Sequence, residues 1–277
     1  MTAFDAADLK LLTDLIQERF GLTFQGIRQE ILASRLRPRL RELHLDSLRD
    51  YYTYLRFHPE REAEFGRLPV MVTNNETYFF RETHQFDILI SHIIPDRRTS
   101  LQGRPLRVLS AGCSSGEEPY SLAITLHNAG LALAGVTWDI DACDLNAERI
   151  ARAREGVYEE TSLRACDAES RRRYFTQEEK RFRLRERYRA GVRFFPVNLL
   201  ASNGTLGWGT YDAILCRNLL IYMSDAAFDS MINLFARCLV PGGHLFLGHS
   251  ESLIDRTAEF APLVVEGAVI YRKVAPR

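Results

Sequence analysis

From Leu106 onward, short apolar runs alternate with stretches of helical spacing, and this alternation constrains the fold more than any other feature. Leu106–Ser110 reads as a buried strand, Pro119–Asn128 as a helix with proline in its first turn, Val136–Cys143 as a second strand and Asn146–Arg154 as a short helix. Val192–Pro196 and Tyr211–Cys216 are further strands. Asp225–Leu239 is an amphipathic helix stopped by PGG at 241–243, His244–Gly248 is the next strand, and Leu263–Val274 is strand or hairpin material. Such alternation predicts a parallel sheet covered by helices on both faces.

The chain before residue 95 shows no strand pattern. Leu9, Leu12, Ile16 and Phe20 recur at helical spacing, with Gly21 as a C-cap; Ile27–Leu43 is a second helix, broken or kinked at Pro38; Leu48–Phe57 is a third. The polar stretch RRTSLQGRP at 97–105 reads as the end of a linker. The expected organisation is an all-α N-terminal domain over 1–90, a linker over 91–104 and an α/β domain over 105–277. An insert at about 156–191 interrupts the alternation. Within it, RFRLRERYR (181–189) has a strict period of two, with Phe182, Leu184 and Tyr188 on one face and five arginines on the other. That pattern predicts one strand of a small antiparallel sheet, whose arginine face is either a solvated edge or a docking surface for an acidic partner.

The turn AGCSSG (111–116) separates the first strand from its helix, the layout of a nucleotide-binding βα turn. Its frame is Gly112-x-x-x-Gly116 rather than GxGxxG, it holds no Lys or Arg, and it leads into Glu117 and Glu118. One carboxylate there suits the helix dipole, but two repel a phosphate. They tolerate a cationic ligand that lacks phosphate, and S-adenosylmethionine, with its sulfonium and α-ammonium, is one. Asp144 ends the second strand, where a carboxylate can accept both ribose hydroxyls of a nucleoside; it is otherwise an N-cap, a role Asn146 can take instead. The helix–PGG–strand step at 239–247 recurs in Rossmann-like methyltransferases. An NAD-dependent oxidoreductase fails on the glycine pattern.

Lys and Arg number 36 and so do Asp and Glu, so the chain as a whole is not a polyanion binder. Five scattered cysteines without a CxxC pair argue against a disulfide framework or a zinc site, and no metal is expected. No apolar run is long enough to span a membrane and the N-terminus lacks signal-peptide character, so a cytoplasmic protein is expected. Nothing demands more than a monomer.

Four blocks, NETYFFRE (75–82), AGCSSGEEPYSLAI (111–124), CRNLLIYM (216–223) and GHSES (248–252), resemble the signatures of the CheR family. These are chemotaxis receptor methyltransferases, which esterify glutamate side chains of chemoreceptors. The resemblance covers nearly the whole chain. It implies a Rossmann-like class I S-adenosylmethionine-dependent methyltransferase domain with a small antiparallel β insert, preceded by a small all-α domain. It implies that Asn75, Thr77 and Arg81 line the methionine end of the cofactor, that Glu118 meets its ammonium with Glu117 and the Gly112 turn beside it, and that Asp144 holds the ribose. Asn198 and Leu199 would flank the adenine, Arg217 and Asn218 would sit close to the cofactor, and Arg81 and Tyr222 are the candidates for touching the substrate carboxylate. The implied partner is the cytoplasmic signalling domain of chemoreceptors, with no nucleic acid and no membrane insertion. The insert lacks a glycine turn between Phe175 and Arg181, which resembles members that do not grip a C-terminal receptor tether.

A glutamate side chain, with a pKa of about 4.3, is already ionised near neutral pH, so the implied reaction needs no general base. On the second helix Arg28, Arg35 and Arg39 share a face; Arg35 and Arg39 are the expected docking residues for an acidic receptor coiled coil. The alternatives are a methyltransferase of another substrate class and a non-catalytic scaffold that binds S-adenosylmethionine or S-adenosylhomocysteine in a chemosensory array.

Overall fold

A computed structural model of the chain describes residues 5–74, 76–101, 103–131, 135–201 and 209–274. The chain forms two compact units, Met1–Asn74 with Leu220–Ile232, and Asn75–Leu219 with Asn233–Arg277.

The first unit holds helices α1 (Ala6–Phe20), α2 (Ile27–Glu42), α3 (Leu48–Phe57) and α4 (Arg61–Val72). The Asp5 side chain starts α1 by accepting from the N–H groups of Ala7 and Asp8, and Gly21 at φ 71° ends it. Ser47 caps α3 in the same way. Leu12, Ile16, Leu36, Tyr51 and Leu68 are fully buried between these helices. At Pro38, where a break or a kink is expected, α2 is not broken but runs on to Glu42. The fourth helix was not anticipated, although Phe65, Leu68 and Val72 repeat at helical spacing.

In the second unit, α5 (His84–Ile88), a π-helical turn (Leu89–Ile93) and α6 (Ile94–Leu101) follow without interruption. The stretch read as linker is therefore helical up to Leu101, and its Ile93, Ile94 and Leu101 pack with Leu106, Val108 and Leu122. Then come β1 (Leu106–Ala111), α7 (Glu117–Asn128), β2 (Trp138–Asp144), α8 (Ala147–Glu155), β3 (Val157–Tyr158), α9 (Ala168–Tyr174), β4 (Phe175–Glu178), β5 (Arg181–Leu184) and α10 (Glu186–Arg189). The chain continues with β6 (Val192–Pro196), β7 (Tyr211–Cys216), α11 (Asp225–Cys238), β8 (Leu239–Leu247), β9 (Phe260–Val265) and β10 (Ala268–Lys273).

Seven strands form one sheet in the order β6-β2-β1-β7-β8-β10-β9. The pairings among β6, β2, β1, β7 and β8 are parallel, whereas β10 runs antiparallel to both β8 and β9. The carboxyl ends of β1, β2, β7 and β8 thus lie along one edge, where ligands of open α/β sheets bind. The PGG step is not a connection: β8 already begins at Leu239, and the register shift against Tyr211 and Ala213 absorbs the glycines.

The insert forms a separate antiparallel sheet, β3-β5-β4. Only Arg181–Leu184 of the arginine-alternating stretch is strand, because the chain turns into α10 at Glu186. Tyr188 still reaches the core, packing against Tyr174 and His127.

Candidate functional site at the carboxyl edge of the sheet

The turn after β1 depends on three left-handed residues, Gly112 (φ 79°), Ser114 (φ 49°) and Gly116 (φ 91°). The N–H groups of Gly112 and Cys113 both donate to the Cys143 carbonyl, at 2.8 and 2.9 Å, which ties the turn to the end of β2. A Cβ on Gly116 would come within 2.9 Å of the Ala153 methyl and 3.1 Å of the Phe194 ring, so glycine is what lets α7 start against α8 and β6.

The two glutamates opening α7 have different surroundings. Glu117 is 1% exposed; Ser115 and Ser162 donate to its carboxylate, and burial pushes its pKa up despite them. It braces the turn against the insert. Glu118 accepts from Ser110 Oγ of β1 at 2.6 Å on one oxygen and from Arg217 Nε at 2.7 Å on the other. Each oxygen keeps a lone pair free of those bonds.

At the end of β2, Asn146 caps α8 by accepting from Glu148 and Arg149, which relieves Asp144 of that role. Asp144 instead bridges two turns, accepting from Ser114 N on one oxygen and Asn146 N on the other, both at 2.8 Å. Burial raises its pKa, and the two backbone donors oppose that. The hydroxyl of Ser114 is buried without a partner beside it. Asn198 and Leu199 follow β6, the neighbour of β2; Asn198 Oδ1 accepts from Leu200 N at 3.1 Å, and Leu199 opens a single 3-10 turn.

Arg217 follows β7. Besides Glu118 it donates to the carbonyls of Glu82 at 2.9 Å and Arg81 at 2.7 Å, and its guanidinium lies 5.0 Å from the centre of the Phe86 ring. Those carbonyls belong to a strained segment: Phe80 (φ 62°) and Glu82 (φ 52°) are left-handed on either side of Arg81, and Asn218 (φ 59°) is left-handed beside Arg217. Non-glycine residues in this region cluster at functional sites. Arg81 itself is lightly held, with Nη1 donating to the Glu76 carbonyl at 3.1 Å and Nε 3.8 Å from Glu82. Thr77 is half-buried. Asn75 lies outside the described residues.

The sheet unit therefore joins Arg81, Glu118, Arg217 and Asn218 in one network, and links the Gly112 turn to Asp144. Three expected site residues belong to the helical unit instead. The Tyr222 hydroxyl accepts from Asn74 Nδ2 at 2.8 Å, and the Arg28 guanidinium lies 5.3 Å from its ring centre. Arg35 donates to the carbonyls of Met71 and Thr73. Arg39, expected as a docking cation, grips the buried Glu64 with Nε and Nη2, at 2.9 and 2.5 Å, and also meets Glu42. A guanidinium committed to a buried carboxylate is structural and is not offered to a partner. Sequence reasoning missed Ser110, Gln85, His249 and Glu251. Only the GHSES block hinted at the last two.

These residues fit S-adenosylmethionine. Glu118 and Asp144 each keep acceptor lone pairs beyond the bonds they make, an unpartnered hydroxyl lies in the turn, and the acidic start of the helix after it disfavours a phosphate. Among the described residues no group of three His, Cys, Asp or Glu could hold a metal, and no helix is long and apolar enough to cross a membrane.

Comparison with known proteins agrees. A family profile described as "CheR methyltransferase, SAM binding domain" matches residues 75–267, and one described as "CheR methyltransferase, all-alpha domain" matches residues 7–68. A chemotaxis protein methyltransferase of Salmonella typhimurium is 34% identical over 97% of this chain and 91% of its own length. Its Escherichia coli namesake is 33% identical over the same shares. One from Vibrio parahaemolyticus is 32% identical over 98% of this chain and 99% of its own. The chain belongs to the CheR methyltransferase family, and its cofactor is S-adenosylmethionine.

Proposed function

We propose that this methyltransferase esterifies glutamate side chains on the cytoplasmic signalling domains of chemoreceptors, acting in the cytoplasm. Support for the substrate comes from relatives named chemotaxis protein methyltransferase. The observation that carries the reaction class is the lightly held Arg81, anchored through its own carbonyl to the residue that also meets Glu118.

S-adenosylmethionine supplies a methyl group made electrophilic by its sulfonium. The chain's part is to bind, aim and desolvate. Glu118 holds the ammonium through the lone pairs that Ser110 and Arg217 leave open, and Asp144 takes the ribose hydroxyls. Arg81 aims the substrate carboxylate, which is ionised without a base. Its grip must be loose, because the nucleophile loses its charge as the ester forms. Within the helical unit the Tyr222 oxygen already accepts from Asn74, so its O–H proton is left to donate. Catalysis then rests on proximity and orientation.

The test is to incubate the protein with methyl-labelled S-adenosylmethionine and a chemoreceptor cytoplasmic fragment, then expose the product to mild base. Volatile labelled methanol is expected. Base-stable label would replace carboxyl transfer by nitrogen or ether-oxygen transfer.

A further inference from the structure

We infer that Glu251 is a positioning residue for methyl transfer. It fixes the Arg217–Asn218 turn and, through Arg217, both the Glu118 carboxylate and the strained segment that carries Arg81. The inference rests on the reading of Glu118 and Arg81 just given.

Two parallel strands, β7 and β8, end side by side, with Cys216 paired to Leu247. The N–H groups just beyond such ends have no ladder partner and must be satisfied otherwise. One oxygen of the buried Glu251 does this for both strands, accepting from Asn218 N at 3.0 Å and Gly248 N at 2.7 Å. The contact leaves no room. A Cβ on Gly248 would lie 2.8 Å from Asn218 Nδ2, 2.9 Å from Asn218 N and 2.9 Å from Glu251 Oε2. Gly248 is not left-handed, so crowding alone demands glycine there. Asn218 is left-handed, and the carboxylate on its N–H holds it so.

What Glu251 fixes is passed on. The Arg217 side chain leaves this clamped turn and reaches three acceptors at once, Glu118, Arg81 O and Glu82 O. The same segment is pinned to the end of β8 by Gln85 Nε2 donating to Leu247 O at 2.7 Å, and to the following turn by His249 meeting Glu82. These ties between 81–86 and the ends of β7 and β8 each involve a residue in, or next to, the Glu251 clamp. Without it, Asn218 relaxes out of its left-handed conformation, Arg217 shifts, and the carbonyls of Arg81 and Glu82 lose the donor that holds this strained segment.

The experiment compares wild type with Glu251→Ala, Glu251→Gln, Glu251→Asp and Gly248→Ala. The readouts are calorimetric titration with S-adenosylhomocysteine and amide hydrogen exchange over 79–88 in protein without ligand. Losing a carboxylate that receives two buried N–H groups is expected to weaken S-adenosylhomocysteine about tenfold or more and to speed exchange over 79–88. Glu251→Gln, which keeps an acceptor oxygen at the same reach, stays within about threefold of wild type. Glu251→Asp, one methylene short, and Gly248→Ala, which wedges the clamp apart from outside it, resemble Glu251→Ala. If Glu251→Ala does not fold, the last two variants carry the test. Folded variants with lower melting temperature but wild-type affinity and wild-type exchange would reduce Glu251 to a structural residue and overturn the inference. Neither readout needs a receptor, so a failure of the receptor assignment is seen separately, as absence of base-labile methylation by the wild type.

Discussion

Each of the two units carries a glutamate held by an arginine, and the pairs are built in opposite senses. In the helical unit Glu64 is the hidden partner: its side chain is 2% exposed against 15% for Arg39, and Arg39 grips both its oxygens. Tyr51 adds a third donor, and although burial opposes ionisation, Arg39 and Tyr51 together hold the Glu64 pKa below its usual value. In the sheet unit the arginine is hidden: Arg217 is 2% exposed and Glu118 13%. Arg217 takes one oxygen of Glu118 and spends its other donors on backbone carbonyls. A carboxylate saturated by its partners stabilises a fold. A carboxylate held at one edge, with lone pairs left over, can recognise a ligand.

Replacing each glutamate by glutamine separates the two roles. Glu64→Gln presents an amide N–H₂ to one arm of Arg39 and breaks a bidentate buried pair, so chemical denaturation should show a loss of about 3–5 kcal/mol. Binding of S-adenosylhomocysteine should be unchanged where the variant remains folded. Glu118→Gln differs in its effect on binding. Ser110 can accept from the new amide and Arg217 keeps an acceptor oxygen and two carbonyls, but its buried charge loses its counter-ion, so stability should fall here too, by up to about 3 kcal/mol, while removal of the charge proposed to meet the ammonium weakens ligand binding about a hundredfold.

Acid should reach the two units in different pH windows. His244 of β8 is buried near Arg97 and Arg272, and burial first, then those charges, lower its pKa to about 4. The unfolded chain binds a proton there below about pH 6.5 and the native chain does not, so stability falls as pH drops from 6.5 to 4, by at most about 3 kcal/mol. His244→Leu should flatten that slope in urea titrations. Glu64 acts lower: its contribution is complete above the unfolded carboxylate pKa and is lost as pH falls through its depressed native value.

Much of the site was legible because it is local in sequence. The β1 turn, its glycines, the acidic start of α7 and the aspartate ending β2 each lie within one βα step, where spacing implies position. Successive helix residues diverge by about 100°, and the inward one of Glu117 and Glu118 is held by the neighbouring Ser115 and by Ser162 in the distant insert, the second of which no spacing reveals. Arg39 looked like its exposed neighbours on α2 until Glu64, 25 residues on, was seen beneath it. The period of two in 181–189 continued past the point where the chain bends, because alternating arginines suit a short helix as well as a strand. Glu251 was visible only as a letter in a familiar block; its partner Asn218 is 33 residues away.

The smallest expected effect concerns Arg35, which unlike Arg39 is exposed and meets only carbonyls. Arg35→Glu should cost less than about 1 kcal/mol. It should also lower receptor methylation while S-adenosylhomocysteine affinity stays at the wild-type value. Unchanged methylation would remove this part of α2 from receptor docking.

The contrast between the two pairs is tested most directly by titrating S-adenosylhomocysteine into Glu118→Gln and Glu64→Gln side by side in a calorimeter, at a temperature where both are folded. Wild-type affinity for Glu64→Gln and a loss of about a hundredfold for Glu118→Gln is the predicted result. Wild-type affinity for Glu118→Gln would contradict it: the Glu118–Arg217 pair would then be a structural brace like its counterpart, and the cofactor's ammonium would be held elsewhere.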